Sequence, residues 1–308
     1  MAHPAGSPAR QPAGKGGATA LTSRDNRWLK RFRAALSGER DDNGFVGVEG
    51  VRLVEAALGS SLPLDALLVS ESGTRHLPRI RAVLPSGVRL FRTSDKLFAG
   101  VADTQTPQGI AALVQPRQAA VEDLLGGIAL VAVLVGVQDP GNVGTIVRAA
   151  EAFGATGAAT CPADRIGTAD PFAPKALRAS AGSALRLPIV RGISATVLLA
   201  QLRISRVKVY AAVAASAPSA NEFAKGASGA GSPSSPPWGI DWKFPSAILI
   251  GNEGSGLPAE LVRAADARVF IPQAPALAPV GIESLNAAIA ASTLLYEAMR
   301  QRETAEQK

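Results

Sequence analysis

The chain contains very little of the residue types that most enzymes use for nucleophilic or metal chemistry. Its 308 residues include one cysteine, Cys161, and two histidines, His3 and His76. A single cysteine excludes an internal disulfide and a zinc site built from the cysteines of one chain. Because His3 lies in a low-complexity segment and no His/Cys/Asp cluster has metal-ligand spacing, we expect neither histidine-centred catalysis nor a bound metal.

Long apolar runs and several familiar nucleotide motifs are also missing. No apolar stretch is long enough to span a membrane, and the N-terminal segment lacks the apolar core of a signal peptide. We therefore expect a cytoplasmic protein without membrane association. The chain also lacks the glycine pattern of a Rossmann dinucleotide site, a phosphate-binding P-loop and a nucleophile elbow.

Basic residues outnumber acidic ones mainly in the first 118 residues of the chain. The net charge is +7, and residues 1–118 account for +6 of it, with sixteen Lys/Arg against ten Asp/Glu. A positive charge that is concentrated in one domain favours a polyanion-binding face. The same excess is also compatible with an ordinary solvated surface.

Composition and hydrophobic periodicity predict an α/β protein with two domains. Residues 1–20 are rich in Pro, Gly and Ala and are predicted to form a disordered tail. A smaller α/β domain is expected at 21–116, a linker at 117–127 and a larger α/β domain at 128–303. Within the larger domain, the Ser/Gly/Ala/Pro-rich residues 215–240 are predicted to form a flexible loop.

The predicted elements alternate along both domains. In the first domain we predict helices at 27–36, 51–58, 75–83 and 94–98, and strands at 64–70, 88–93 and 109–114. In the second domain we predict strands at 128–137, 157–161, 187–190, 207–213, 246–250 and 267–271, and a final helix at 284–302.

The most informative loop follows the first strand of the second domain. Residues 139–148 (DPGNVGTIVR) contain a glycine-rich turn and open a helix, and they place Asn142 in the turn and Arg148 on the helix. Such a turn lies at the carboxyl end of a sheet, where α/β proteins bind ligands and anions. By itself, the pattern also fits a plain strand-to-helix turn.

Two later loops have a similar character. Residues 249–257 (LIGNEGSGL) follow an apolar strand and combine three glycines with Glu253, a residue that simple turns do not favour. The third loop runs from Ile271-Pro272 to Ser284-Leu285-Asn286 and enters the last helix. We expect Ser284 to cap that helix and Asn286 to lie on its first turn.

Together these loops resemble the SpoU (TrmH) family of RNA ribose 2′-O-methyltransferases, within the SPOUT class. The family's three ordered motifs match DPGNVGTIVRAAEAFGA, the G-x-E-G-x-G-L of residues 251–257, and I-P followed by S-L-N. Residues 175–188 (KALRASAGSALRLP) resemble the family's Ser-Ala-Gly stretch. Residues 21–58 resemble the N-terminal SpoU substrate-binding domain, a smaller α/β domain that is similar to ribosomal protein L30e. Between Pro272 and Ser284 this chain is longer than the usual family connector.

The resemblance implies a deep trefoil knot in the C-terminal domain, S-adenosylmethionine (SAM) as the cofactor, and a homodimer formed through the knot region. It implies these catalytic residues: Arg148, Asn142, Glu253, Ser284 and Asn286. It also implies that the cofactor is bound by Gly251, Ile271 and Leu285. From the basic N-terminal segment we further predict these RNA contacts: Arg24, Asn26, Arg27, Lys30 and Arg31.

The expected activity is methyl transfer from SAM to a ribose 2′-hydroxyl, with 23S ribosomal RNA as the favoured substrate. Methylation of tRNA stays open, because tRNA-directed relatives share the catalytic motifs. A non-catalytic RNA-binding or ribosome assembly protein with the same fold is a second possibility, and a nucleotide-dependent enzyme on a conventional α/β sheet is a third.

Overall fold

The computed structural model describes residues 18–41, 43–214, 234–274 and 284–306. The chain divides into two compact units, Met1–Gln115 and Pro116–Lys308. The predicted linker, residues 117–127, falls within the second unit. It contains a short 3-10 helix, Val121–Leu124, whose two end residues are buried in the core of that unit.

The first unit is built on a five-stranded mixed sheet with the strand order β1-β4-β3-β5-β2. Its strands are β1 (Thr19–Leu21), β2 (Val46–Glu49), β3 (Leu64–Ser70), β4 (Arg89–Thr93) and β5 (Ile110–Val114). Its helices are α1 (Arg27–Leu36), α2 (Val51–Gly59), α3 (Leu77–Arg81) and α4 (Asp95–Ala99), with a 3-10 helix at Ser72–His76. The strands β1, β4 and β3 are parallel, whereas β5 runs antiparallel to both β3 and β2.

Helix α1 shows where the hydrophobic periodicity predicted this unit correctly. Apolar residues at helical spacing form one face of α1, and Leu29, Phe32 and Leu36 are buried in the core. The predicted helix at 27–36 and the predicted strand at 64–70 are confirmed at the same boundaries. The predicted helix at 75–83 is instead a 3-10 turn followed by the shorter α3.

Two strands of the first unit were not predicted. Thr19–Leu21 pairs with β4, although its first two residues fall in the predicted disordered tail. Strand β2 pairs with β5. Both strands are only three or four residues long, so neither contains enough residues to display an alternating pattern.

The second unit contains a seven-stranded parallel sheet with the order β10-β12-β9-β11-β6-β7-β8. Its strands are β6 (Leu130–Val135), β7 (Gly157–Cys161), β8 (Ile189–Val190), β9 (Lys208–Val213), β10 (Ser234–Ser235), β11 (Ser246–Ile250) and β12 (Ala267–Phe270). Its helices are α5 (Pro140–Ala152), α6 (Pro174–Ser180), α7 (Ala195–Ile204), α8 (Ala259–Ala264) and α9 (Ala287–Glu306), with 3-10 helices at Ser183–Leu185 and Pro237–Gly239. The predicted α/β class is confirmed.

The central strands of this sheet position the site. Every residue of β6 and β11 is buried, as expected for parallel strands that are covered on both faces. These two strands are neighbours in the sheet, so the loops that follow them, 136–139 and 251–256, leave the same edge. The loops after β9 and β12 leave that edge as well.

Part of the predicted flexible loop is packed against the second unit. Residues 215–233 lie outside the described part of the chain, but Ser234–Ser235 forms β10 and pairs with β12. A short 3-10 helix follows, and the Nε1 of the fully buried Trp242 donates a 2.8 Å hydrogen bond to Pro237 O. The loop prediction was therefore wrong for residues 234–240.

Most of the longer connector, residues 275–283, lies outside the described residues. Among the helices of the described ranges, none is long and apolar enough to cross a bilayer.

Candidate active site

Three side chains from the three predicted loops form one hydrogen-bonded chain. The Nδ2 of Asn142, on the first turn of α5, donates to Glu253 Oε1 over 2.9 Å. The Nδ2 of Asn286, at the start of α9, donates to Asn142 Oδ1 over 3.1 Å. Residues that are more than 110 positions apart in the sequence thus meet at one edge of the sheet, as the loop order predicted.

Glu253 receives backbone donors as well. The N–H groups of Gln138 and Asp139 donate to its two carboxylate oxygens over 3.2 and 3.3 Å. Partial burial alone would raise the pKa of Glu253, but the hydrogen bonds from Asn142 and from this backbone outweigh burial and lower that pKa. Glu253 is therefore an anion at neutral pH and acts as an acceptor within the site.

Local sequence explains how Asn142 is positioned. The Asp139 side chain accepts a 3.0 Å hydrogen bond from Gly141 N and caps α5, and Pro140 occupies the first helical position, where its missing N–H costs nothing. Gly144 packs against α6, because a Cβ there would lie 2.3 Å from Ala176 O. Only glycine permits this close approach, which fixes the beginning of α5 against α6.

Arg148 is not part of the hydrogen-bonded chain. It lies six residues beyond Asn142 on α5, which corresponds to about 9 Å along the axis and about 120° around it. Its side chain is exposed, and no described residue forms a hydrogen bond or an ion pair with it. The guanidinium is thus available for an external anion.

The predicted roles of the two residues at the start of α9 need one correction. Asn286, rather than Ser284, caps this helix, because its Oδ1 accepts from Ala288 N over 2.9 Å and from Ile289 N over 3.3 Å. Since its Oδ1 is used in the cap, only its Nδ2 is directed to Asn142. Ser284 is exposed and lines the neighbouring cavity.

That cavity has a volume of about 290 Å³ and lies between the loops after β9, β11 and β12 and the start of α9. All three predicted cofactor-binding residues, Gly251, Ile271 and Leu285, line it. A Cβ on Gly251 would lie 2.4 Å from the carbonyl carbon of Gly256, so the loop can fold back on itself only with glycine at this position. The volume is near the lower end, about 300 Å³, of small-molecule sites.

Several contributors to the cavity were not predicted. Ala212–Ala214 reach it from the end of β9, and the loop after this strand is not one of the three predicted loops. Asn252 was not predicted either: its Nδ2 donates to Gly136 O over 2.8 Å, and its Oδ1 accepts from Gly254 N over 2.9 Å. Knowledge of the strand order would have identified Ala212–Ala214. Nothing in the sequence indicated that Asn252 links the loop after β11 to the loop after β6.

The residues that line the cavity fit the expected SAM. Leu285, Val269 and Leu294 supply apolar surface, and the glycine-rich turn at 251–256 brings backbone polar groups to the same space. Such a mixture suits a ligand with an aromatic base and a polar, charged chain. Across the residues that the structure describes, no group of three or more His, Cys, Asp or Glu side chains could hold a metal ion.

A lysine that is not among the predicted site residues lies beside the first loop. Lys175 Nζ is 2.5 Å from Asp139 Oδ1, and its side chain is 62% exposed. The hydrogen bond from Lys175, aided by that from Gly141 N, lowers the pKa of Asp139. The pair joins the start of α6 to the cap of α5 and keeps a cation at the rim of the site.

The lone cysteine is inert. Cys161 is fully buried at the end of β7, and burial raises its pKa to about 12. The thiol therefore stays protonated and takes no part in nucleophilic or redox chemistry at neutral pH.

The predicted RNA contacts of the first unit fall into two groups. Asn26 caps α1 through a 2.9 Å hydrogen bond from Trp28 N, and Arg31 forms ion pairs with Asp41 and Asp65. These two residues thus have structural partners within the domain. The exposed remainder consists of Arg24, Arg27 and Lys30, the last of which pairs with Asp25 over 3.1 Å.

The fold and the three-loop site define a class of enzyme, and comparison with known proteins agrees. The model of the SpoU rRNA Methylase family matches residues 129–296, and that of the MRM3-like substrate binding domain matches residues 33–112. The chain belongs to the SpoU rRNA Methylase family. The predicted family and the separate N-terminal substrate-binding domain are therefore confirmed.

Individual relatives cover nearly all of the chain. It is 32% identical to the 23S rRNA (guanosine(2553)-2′-O)-methyltransferase RlmP of Bacillus subtilis, over 84% of this chain and 90% of that protein. It is 30% identical to the 23S rRNA (guanosine-2′-O-)-methyltransferase RlmB of Xylella fastidiosa strain Temecula1, over 91% of this chain and 98% of that protein. Among solved structures, the AdoMet-bound rRNA methyltransferase from Sinorhizobium meliloti superposes with a TM-score of 0.73 at 30% identity, over 92% of this chain and 98% of that one.

Proposed function

We propose that this protein is a SAM-dependent RNA methyltransferase that modifies a ribose 2′-hydroxyl of 23S ribosomal RNA. The observation that carries the proposal is the chain Asn286–Asn142–Glu253 at the rim of the glycine-lined cavity. The printed activities of the relatives and the AdoMet bound in the structural neighbour support the same chemistry.

In this proposal the cavity holds the cofactor. Gly251 allows backbone groups to approach it closely, while Ile271 and Leu285 supply apolar contacts. When bound, SAM supplies a methyl group on a sulfonium, which an in-line oxygen nucleophile can take. The residues of the chain then have to align the ribose oxygen with that methyl group, and alignment alone accounts for a large part of the acceleration.

Arg148 is proposed to bind the substrate phosphate and to stabilise the developing alkoxide. A guanidinium stays protonated in proteins, so it is poorly suited as a literal general base. Its exposed side chain, which has no partner among the described residues, fits the role of an anion contact.

The remaining site residues are proposed to orient the ribose. The side-chain amide of Asn142 donates to Glu253 through Nδ2 and accepts from Asn286 through Oδ1. Both of its polar atoms are therefore oriented before the substrate binds. Ser284, exposed beside the cavity, offers a further hydroxyl to the ribose. The lowered pKa of Glu253 suits a fixed acceptor better than a proton acceptor in the reaction.

The first unit is proposed to bind RNA through Arg24, Arg27 and Lys30, which are exposed. The domain division at 21–116, 117–127 and 128–303 remains part of the proposal. With ribosomal RNA as its substrate, the protein is proposed to act in the cytoplasm.

A trefoil knot and a homodimer complete the proposal. The chain after β12 returns to bring Asn286 against Asn142, which is the contact that a threaded C-terminal segment would make, although such threading is very rare. Tyr296 and Ile289 of α9 are exposed apolar surface, which a partner subunit would cover. Sedimentation analysis tests the dimer directly.

The catalytic assignment is tested by methyl transfer to ribosomal RNA from cells that lack the gene. We expect Arg148→Ala to lower kcat by about 100-fold while the Kd for SAM is unchanged. Arg263→Ala, at an exposed arginine of α8, is the matched control and should retain full activity. An Arg148→Ala protein as active as the wild type would refute the role of Arg148.

The substrate is tested separately by mapping 2′-O-methyl sites in RNA from cells with and without the gene. We expect one 23S position to lose its methyl group. Loss confined to a tRNA would refute the choice of ribosomal RNA but leave the chemistry intact. Binding of SAM without transfer to either RNA would indicate a non-catalytic RNA-binding protein.

A further inference from the structure

The first unit contains a second concave site, formed by aromatic rings and guanidinium groups. The side chain of Trp28 on α1 is half-buried, and its ring centroid lies 5.9 Å from the guanidinium carbon of Arg27, 5.1 Å from that of Arg31 and 5.0 Å from that of Arg89. Together with Phe45, these residues line an open cavity of about 520 Å³. We name this space the Trp28 pocket.

The Trp28 pocket is held in shape by two carboxylates. Asp65 binds Arg31 through one oxygen and Arg89 through the other. Asp41 binds Arg31 Nε over 2.8 Å, and its second oxygen accepts from Phe45 N over 2.9 Å. The loop that carries Phe45 is thereby tied to α1. Burial alone would lower the pKa of Arg31, but these hydrogen bonds raise it, so the guanidinium stays charged.

Two of the three guanidiniums have carboxylate partners, and one does not. Arg27 is exposed and its guanidinium lies near the Trp28 ring, but no described residue forms an ion pair or a side-chain hydrogen bond with it. Asn43, which also lines the pocket, has a side-chain amide that hydrogen-bonds no described residue. The pocket thus combines aromatic surface, one uncompensated cation and one unused amide.

This combination matches the chemistry of a nucleotide. Aromatic rings and guanidinium planes stack on nucleobases, a free cation binds phosphate, and an amide can read a base edge. The base has to be unpaired, because in a duplex its face and its pairing edge are covered.

We propose that the Trp28 pocket binds one unpaired nucleotide of the RNA substrate, with the base against Trp28 and Phe45 and the phosphate on Arg27. This inference rests on the proposed function, since it takes RNA as the substrate. It adds a recognition point that lies in the first unit and is separate from the methyl-transfer site. Arg31, with its carboxylate partners, shapes the pocket rather than contacting phosphate.

The test measures RNA binding without SAM, so it does not depend on catalysis. The probe is an unstructured single-stranded RNA oligonucleotide of mixed sequence, compared with a duplex of the same composition and with free nucleoside monophosphates. Because the chain has three tryptophans, and Trp242 is buried, Trp238→Phe serves as the parent protein for fluorescence. In this parent, stacking on Trp28 should quench the emission.

We expect Arg27→Gln to weaken binding of the single strand by about 10-fold. Trp28→Phe should also weaken this binding, and it should abolish the quenching. Arg52→Gln, which removes the same charge from an exposed position of α2, is the matched control and should weaken binding far less. The duplex should bind more weakly than the single strand and should be insensitive to Trp28→Phe. Thermal unfolding of each variant verifies that the domain is folded.

Three outcomes would overturn the proposal. Arg27→Gln and Trp28→Phe could bind the single strand as tightly as Arg52→Gln does, the duplex could bind as well as the single strand, or free monophosphates could bind more tightly than RNA. Failure of the proposed function is a different result, because a protein that transfers no methyl group could still show the Trp28-dependent binding. Conversely, an enzyme that transfers methyl groups but shows no Trp28-dependent RNA binding would refute only the proposal for the Trp28 pocket.

Discussion

At the scale of single residues, Glu253 explains how the site is pre-oriented. Its carboxylate accepts from the side chain of Asn142 and from the backbone N–H groups of Gln138 and Asp139. An amide can point in two directions, and Glu253 selects the one in which Asn142 Oδ1 faces Asn286. A carboxylate is required because all three of its partners are donors.

Glu253→Gln should therefore lower both activity and stability. A glutamine has one acceptor oxygen, so its NH2 group would face a donor and displace the Asn142 amide. A displacement of about 1 Å is enough to lower kcat by up to about 100-fold. The folded-state pKa of Glu253 is lowered, so its contribution to stability is fully present above the ordinary pKa of about 4.3 and is lost as the pH falls through the lowered value.

Urea unfolding of wild type and variant at several pH values measures this contribution. The difference in the free energy of unfolding should be largest at neutral pH and should shrink below about pH 4. Glu260→Gln, at an exposed glutamate of α8, provides the control and should unfold like the wild type at every pH. A difference that stayed constant down to pH 2 would contradict the assigned role of Glu253.

At two positions the residue type alone led to a different role from the one that the structure shows. Serine is a strong N-cap, and Ser284 precedes an apolar helix, yet Asn286 supplies the cap. Both residue types are equally good caps, so sequence alone does not decide between two candidates two residues apart. Similarly, Arg31 is indistinguishable in sequence from its basic neighbours, whereas the carboxylates that bind it come from a loop and a strand further along the chain.

At the scale of elements, the boundaries were predicted best where the hydrophobic pattern is long enough to show a full repeat. Buried strands such as Gly157–Cys161 and Ser246–Ile250, and the amphipathic α1, were predicted at their observed boundaries because their patterns span at least one full repeat. The short strands β1 and β10 were missed, since two or three residues carry no periodicity. They are strands because a neighbour pairs with them.

The shape of the loop after β11 depends on glycine at position 251. In Gly251→Ala, the new methyl group would overlap the backbone of Gly256, which cannot move without opening the turn. Opening the turn removes one wall of the cavity, and we expect the affinity for SAM to fall by at least about 10-fold, or about 1.4 kcal/mol. Isothermal titration calorimetry with SAM measures the change.

Gly254→Ala is a matched control in the same loop. A Cβ at Gly254 would have a single neighbour, Asn252 Oδ1 at 3.6 Å, which is an ordinary contact. We expect this variant to bind SAM much as the wild type does. Equal losses in both variants would mean that the loop depends on glycine for a reason other than the close approach at Gly251.

At the scale of the whole molecule, the sequence identified the three loops but not their pairwise contacts. The order of motifs and the expectation of a parallel sheet place Asn142 and Glu253 at one edge, because their strands end there. The hydrogen bond from Asn252 to Gly136 and the ion pair of Lys175 with Asp139 depend on side-chain geometry between distant segments. Such pairings arise only once the chain is folded.

Arg302, near the end of α9, binds the two segments that precede β6 and β11. Its guanidinium donates to four backbone carbonyls, at distances of 2.8 Å to Trp242 O, 2.8 Å to Ile128 O, 3.0 Å to Ala129 O and 3.2 Å to Phe244 O. Burial lowers the pKa of Arg302. One side chain thus fixes α9 to the segments that lead into β6 and β11, the two strands that carry the catalytic loops.

Arg302→Lys tests this connection. Lysine retains the charge but lacks the planar fork of donors, so it cannot reach four carbonyls at once. We expect the free energy of unfolding to fall by about 2 kcal/mol, which is typical of one lost hydrogen bond to a charged group. The loss is not larger because water replaces some of the lost hydrogen bonds at the exposed edge. Chemical denaturation measures the loss.

Arg300→Lys, on the same helix but paired with Glu297 at the surface, should hardly change stability. If the two variants unfolded alike, Arg302 would be an ordinary surface arginine, and α9 would be held by its apolar face alone.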